Sequence, residues 1–220
     1  MTYLRGHWQL FVILGVVFAL WQTPVVWPLK MLVVYLHELS HALATWATGG
    51  RVLELSLSPA QGGHVISLGG NRFVILTAGY LGSLVLGIAL LIAALRSTAD
   101  RLILGLFGAG MIAVTALFVR DLFAAAFCLG TGAALLAIAR FAGHRVSDLV
   151  LRVIGLSSVL YVPYDIFDDT IARRTARSDA YMLAEEIGGS AALWGGIWLI
   201  LSVLLLVWVL RRGLGAQSNL

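Results

Sequence analysis

The chain has 220 residues, 60% of them apolar and only 12% charged, with a formal net charge of +4. An average soluble domain is about 45–50% apolar and about 25% charged, so this composition excludes a soluble enzyme, a disordered chain and a disulfide scaffold. It predicts a multi-pass integral membrane protein with the lipid bilayer as its first partner; a bacterial cytoplasmic membrane is the expected location, which composition does not specify.

The arginines read as anchors of helix ends against lipid headgroups. No basic cluster is interleaved with stacking aromatics, so no nucleic-acid partner is expected. Cys128, the single cysteine, excludes an internal disulfide and reads as a buried, inert thiol. In chain order, residues 8–27 form the first apolar run. No small-residue cleavage site follows it, so it reads as a retained span rather than a signal peptide. Pro28 suits the first turn of a second helix from Leu29 to Thr48, closed by Gly49 and Gly50. From residue 51 to 68 the period changes: Val52, Leu53, Leu55 and Leu57 interleave with Glu54, Ser56 and Ser58, then PAQGG and HVISL follow. That pattern predicts a β-hairpin. Its edges cannot face lipid, so protein or the interface must cover it.

A third span covers 73–95, with Gly79, Ser83 and Gly87 at intervals of four, read as a helix-packing surface. Two shorter spans, 102–118 and 122–139, flank Arg120–Asp121, and a sixth covers 149–171 with Pro163 inside it. Ser178 is expected to cap a short interfacial helix ending at Gly188–Gly189, and 191–210 is the last span. The fold class is therefore an all-α integral membrane bundle of six to seven transmembrane helices with one small β-hairpin. It is expected to form a single membrane-embedded domain over residues 1–220. Basic residues divide evenly between the two sides, so they do not set the orientation.

The second span contains His37, Glu38 and His41 in the pattern HExxH. On a helix, two histidines four apart share one face and can grip one metal ion, with the glutamate beside them where it reaches a metal-bound water. A charged group inside an apolar helix costs about 2.5–3.5 kcal/mol even on insertion scales. A bound cation, taken as Zn2+, is the compensating partner.

A catalytic zinc usually takes three protein ligands, so one is missing. Asp100, Asp121 and Asp148 fall at span ends and read as solvated. The run YDIFDDTIARR holds Asp165, Asp168 and Asp169 late in the sixth span. Counting along each helix to the flanking Arg51 and Arg173 puts His41 and Asp165 at similar depth. Asp165 is thus expected as third ligand, with Asp168 or Asp169 as the acceptor behind it. The plainer reading of Asp168 and Asp169 is an acidic helix end paired with Arg173 and Arg174. His64 at the hairpin turn reads as a surface histidine before an alternative ligand.

The order HELSHALATWATGGRV, a hairpin with Gly62–Gly63 at its turn, LTAGYLGS and YDIFDDTIARRTARSDA resembles the peptidase M50B-like family, relatives of the site-2 proteases. The resemblance spans roughly residues 30–200. It implies a membrane zinc metalloprotease with its active site in the bilayer, His37 and His41 as zinc ligands and Glu38 as catalytic acid. The better-known site-2 proteases draw their third ligand from an NPDG or LDG motif, which this chain lacks. The functional expectation is an intramembrane zinc metalloendopeptidase acting on a membrane-protein or membrane-proximal peptide. Glu38 would serve as general base and acid. Val52, Leu53, Leu55, Gly62 and Gly63 of the hairpin would clamp an extended substrate. Two alternatives are a non-proteolytic membrane scaffold or chaperone with a structural metal, and an ion or proton transporter. A structural site needs no free carboxylate beside its ligands, and transport needs ionisable groups on more helices than two.

Overall fold

A computed structural model describes residues 8–172 and 177–213 of the chain. Helix α1 (Trp8–Leu20) is followed by a 3-10 turn (Pro24–Val26) and by α2 (Trp27–Ala47). The hairpin β1 (Arg51–Ser58) and β2 (Gly62–Leu68) comes next, then α3 (Arg72–Arg96), α4 (Asp100–Phe118) and α5 (Leu122–Ala137). Helix α6 (His144–Phe167), α7 (Asp179–Ile187) and α8 (Ala191–Gly213) follow, with π-helical turns ending α5 and α6 at Ile138–Ala142 and Asp168–Ala172.

Among the described residues five helices are long and apolar enough to cross a membrane, and α1 with α2 makes a sixth only if that bent pair counts as one span. This corrects the expectation of separate spans over 8–27 and 29–48. At about 1.5 Å per residue, the 13 residues of α1 cover only about 20 Å of a roughly 30 Å hydrocarbon core. The break has a local cause. Pro24 holds Thr23 extended (φ −98°, ψ 155°), and the two helices meet at 120°. Pro163, by contrast, is accommodated inside α6 without ending it.

Two apolar cores share α2. Met31, Leu32, Tyr35 and Leu36 pack with Leu55 and Leu57 of β1, Met111 of α4, Cys128 of α5 and Leu151 of α6. Val33 turns the other way, toward Leu76 and Tyr80 of α3, Val162 and Ile166 of α6, Ala180 and Leu183 of α7 and Trp198 of α8. The HExxH helix is therefore enclosed on both sides. Small residues bring α3 and α6 together: the Ser158 hydroxyl donates to the Ser83 carbonyl at 3.1 Å, and a Cβ at Gly87 would stand 2.6 Å from Ser158 Cβ.

The hairpin is antiparallel, with Ser56 opposite His64 and Leu57 opposite Gly63. A bulge between Val52 and Glu54 breaks the alternation, so Val52, Leu55 and Leu57 are buried while Leu53 is turned out. Gln61, at φ 63°, closes the turn. The Ser56 hydroxyl donates to Asp121 Oδ2 at 2.7 Å, and Asp121 Oδ1 caps α5 by accepting from the Ala124 N–H. Protein thus covers β1, while β2 stays largely exposed.

Two further expectations fail. Asp100 and Asp148 are not solvated; both are fully buried. Asp148 takes both its oxygens to Arg152 Nε at 2.9 Å, one turn along α6, and Asp100 Oδ2 lies 2.8 Å from His144 Nδ1. Asp148 has a cationic partner inside the bundle, which is the condition for burying a carboxylate, while Asp100 has the exposed imidazole of His144 beside it.

Candidate metal centre

One turn of α2 separates His37 from His41, and their Nε2 atoms converge to 3.1 Å. The third group is Asp179 in the first turn of α7. Its Oδ2 stands 3.0 Å from His37 Nε2 and 3.2 Å from His41 Nε2. Four donors arranged tetrahedrally about 2.1 Å from a zinc ion lie about 3.4 Å apart, close to these separations. Among the described residues this is the one group of three suited to a metal ion.

The hydrogen bonding fits a cation as well. His41 Nδ1–H donates to the Ile75 carbonyl at 2.8 Å, which leaves the Nε2 lone pair facing inward. Asp179 Oδ2 is buried and lacks a partner in hydrogen-bond geometry, and so does Glu38 Oε2. Two imidazole nitrogens and one carboxylate oxygen form a donor set that suits zinc.

Glu38 is 4% exposed and stays out of the converging trio. The hairpin closes over it: a Cβ at Gly63 of β2 would stand 2.7 Å from Glu38 Oε1. A cleft of about 700 Å³ opens beside these groups, lined by His37, Glu38 and His41, by Gly62 to Val65 of β2, and by Tyr80, Asp165 and Asp179 among others. The ring of Tyr80 meets that of His37 edge-on, 4.7 Å between centroids, and its hydroxyl donates to Asp169 Oδ2 at 2.9 Å.

Against the expectations, His37, Glu38 and His41 come together, and Asp165 gives way to Asp179. Asp165 lines the same cleft but interacts with Tyr161 and is not one of the trio. Depth along a helix was the wrong guide, because equal depth leaves lateral position open. The short helix α7 is not merely interfacial. Ala180 and Leu183 are fully buried against Leu76 and Tyr80, which draws its N-terminus into the bundle. Asp168 and Asp169 line the cleft, and the acceptor behind His41 is the Ile75 carbonyl instead of either carboxylate. Their expected partners Arg173 and Arg174 lie outside the described residues.

His64 faces the cleft and is exposed, apart from the trio. Of the hairpin residues, Gly62 and Gly63 border the cleft. Val52 and Leu55 cannot clamp a substrate, since both are buried, and the bulged Leu53 is not among the cleft's lining. Asp179 had a readable signal. Ser178 caps α7 through the Tyr181 N–H, and Asp179 is the only acidic residue in that helix's first turn, where the helix dipole favours a carboxylate.

No curated protein and no solved structure matches the chain. The family model described as "Peptidase M50B-like" matches residues 10–209, nearly the full length. That match joins the HExxH helix, the membrane bundle and the metal-suited trio in one framework, and the chain belongs to the peptidase M50B-like family.

Proposed function

We propose that the chain is an intramembrane zinc metalloendopeptidase that hydrolyses peptide bonds in or near transmembrane segments of membrane proteins. The observation that carries this reading is the meeting of His37, His41 and Asp179 with the buried, unpartnered carboxylate of Glu38 beside them. Zinc held by the trio would supply Lewis acidity and bring water within reach of deprotonation near neutral pH.

The chain's own residues then divide the work. Glu38 takes a proton from the attacking water and delivers it to the leaving amide nitrogen. His41 is fixed in tautomer and orientation by Ile75, and Tyr80 steadies the ring of His37. The strand β2 borders the cleft at Gly62 and Gly63. With β1 on its other side, an extended substrate added along it would present a peptide bond to Glu38. Helical segments must unwind to fit, which suits a site within the membrane bundle.

Glu38 separates this function from a structural metal site, since a scaffold gains nothing from an unpaired buried carboxylate. Glu38→Gln keeps the size and loses the proton acceptor. Expressed in a bacterial cytoplasmic membrane, the expected location, it should retain zinc and folding. Fragments of membrane proteins, measured by mass spectrometry, should fall by at least the roughly 10²-fold that acid–base catalysis contributes. Fragments that do not depend on Glu38 would refute the peptidase reading.

A further inference from the structure

Helix α3 contributes no donor to the trio, yet one of its faces runs directly behind it. The Ile75 carbonyl accepts from His41 Nδ1, and one turn later Gly79 reaches the same level. A Cβ built on Gly79 would stand 2.5 Å from Asp179 Oδ2, 2.6 Å from His37 Nε2 and 2.6 Å from His41 Cε1. Ordinary contact begins near 3.4 Å, so a single methyl group would collide with all three groups, by about 0.8–0.9 Å each. Each colliding atom lies at the end of a side chain, not on backbone.

We infer that Gly79 is a positioning residue of the metal centre: the missing side chain is the space in which His37, His41 and Asp179 converge. The inference rests on the reading of that trio as a metal site. It also separates Gly79 from Gly87 two turns on. A Cβ at Gly87 meets Ser158 Cβ and Oγ of α6, a helix-packing contact remote from the trio. Gly79 and Gly87 look alike in sequence and have different tasks. Because its collisions are with movable side-chain ends, Gly79→Ala should leave the bundle folded and displace the donors. Gly87→Ala should loosen helix packing and leave the donors in place.

The test uses the full chain in detergent, stripped of metal and titrated with Co2+. Its d–d absorption reports ligand geometry without any need for activity. Gly79→Ala is expected to weaken Co2+ binding at least tenfold, the lower size of effect for disturbing a metal ligand's support. The metal-free protein should keep the wild-type unfolding temperature. Gly87→Ala is expected to unfold at lower temperature and to bind Co2+ within about twofold of wild type while folded. Wild-type binding and spectrum in Gly79→Ala overturn the inference, and so do parallel losses of stability and binding in both variants.

If Gly79→Ala does not fold, it is combined with His37→Ala, His41→Ala and Asp179→Ala, which removes all three colliding groups. Folding should be restored if the collisions are the cause, and failure to restore it overturns the inference. A wild-type chain that binds no Co2+ overturns the metal-site reading itself and the inference with it, a failure visible before any variant is compared.

Discussion

Replacing Gly63 by alanine tests whether the hairpin positions the general base. The added Cβ would stand 2.7 Å from Glu38 Oε1, 2.8 Å from Glu38 Cγ and 2.7 Å from the Ser56 carbonyl oxygen of the paired strand. Relief to ordinary contact near 3.4 Å requires about 0.7 Å of movement by the carboxylate, by the strand, or by both. None of the atoms it meets is a metal donor. A displacement of about 1 Å in a reacting geometry can cost about 10²-fold, so a loss of roughly 10- to 10²-fold in proteolysis is expected with zinc content unchanged. The assay compares wild type, Gly63→Ala and Glu38→Gln in membranes, quantifying Glu38-dependent fragments by mass spectrometry and zinc per chain by elemental analysis. Wild-type cleavage by Gly63→Ala would refute the reasoning. Loss of zinc in that variant would refute it as well, because the effect would then run through the metal instead of the base.

Asp179→Ala should lose bound zinc, whereas Asp165→Ala should keep it; elemental analysis of the purified variants reads the difference, and the reverse result would restore Asp165 as ligand. Asp121→Ala removes the cap of α5 (about 1 kcal/mol) and the acceptor of the Ser56 hydroxyl (about 1.5–3 kcal/mol for a charged partner). A destabilisation of about 2.5–4 kcal/mol is expected in denaturant unfolding, and Ser56→Ala should show only the second part. Arg152→Ala strands the buried Asp148 and should cost about 3–5 kcal/mol. Most of that loss should be recovered in Asp148→Leu/Arg152→Leu, and equal destabilisation of single and double variants would argue against a stranded charge.

Much of this protein is decided by local chemistry, and that part is legible in the chain. Composition identifies the solvent, because too few polar side chains exist to cover a water-soluble surface. The pairing of His37 with His41 follows from helical periodicity alone, and the hairpin from its alternation and turn residues, whereas its register, with the bulge after Val52, is seen only in the structure. The cap at Ser178 is likewise a local event that the sequence announces. What depends on how elements meet is not legible in this way. The burial of Asp100 and Asp148 follows from the packing of α4 against α6, although Asp148 and Arg152 are neighbours on one helix. Gly79 looks like one more small residue in a packing stripe until α2 and α7 are set against α3. The third member of the metal-suited trio is the sharpest case. Sequence spacing measures distance along a helix, and two spans can match in depth while their side chains point apart. Only the burial of Ala180 and Leu183 fixes the lateral position of α7, and that packing brings Asp179, not Asp165, to the two histidines.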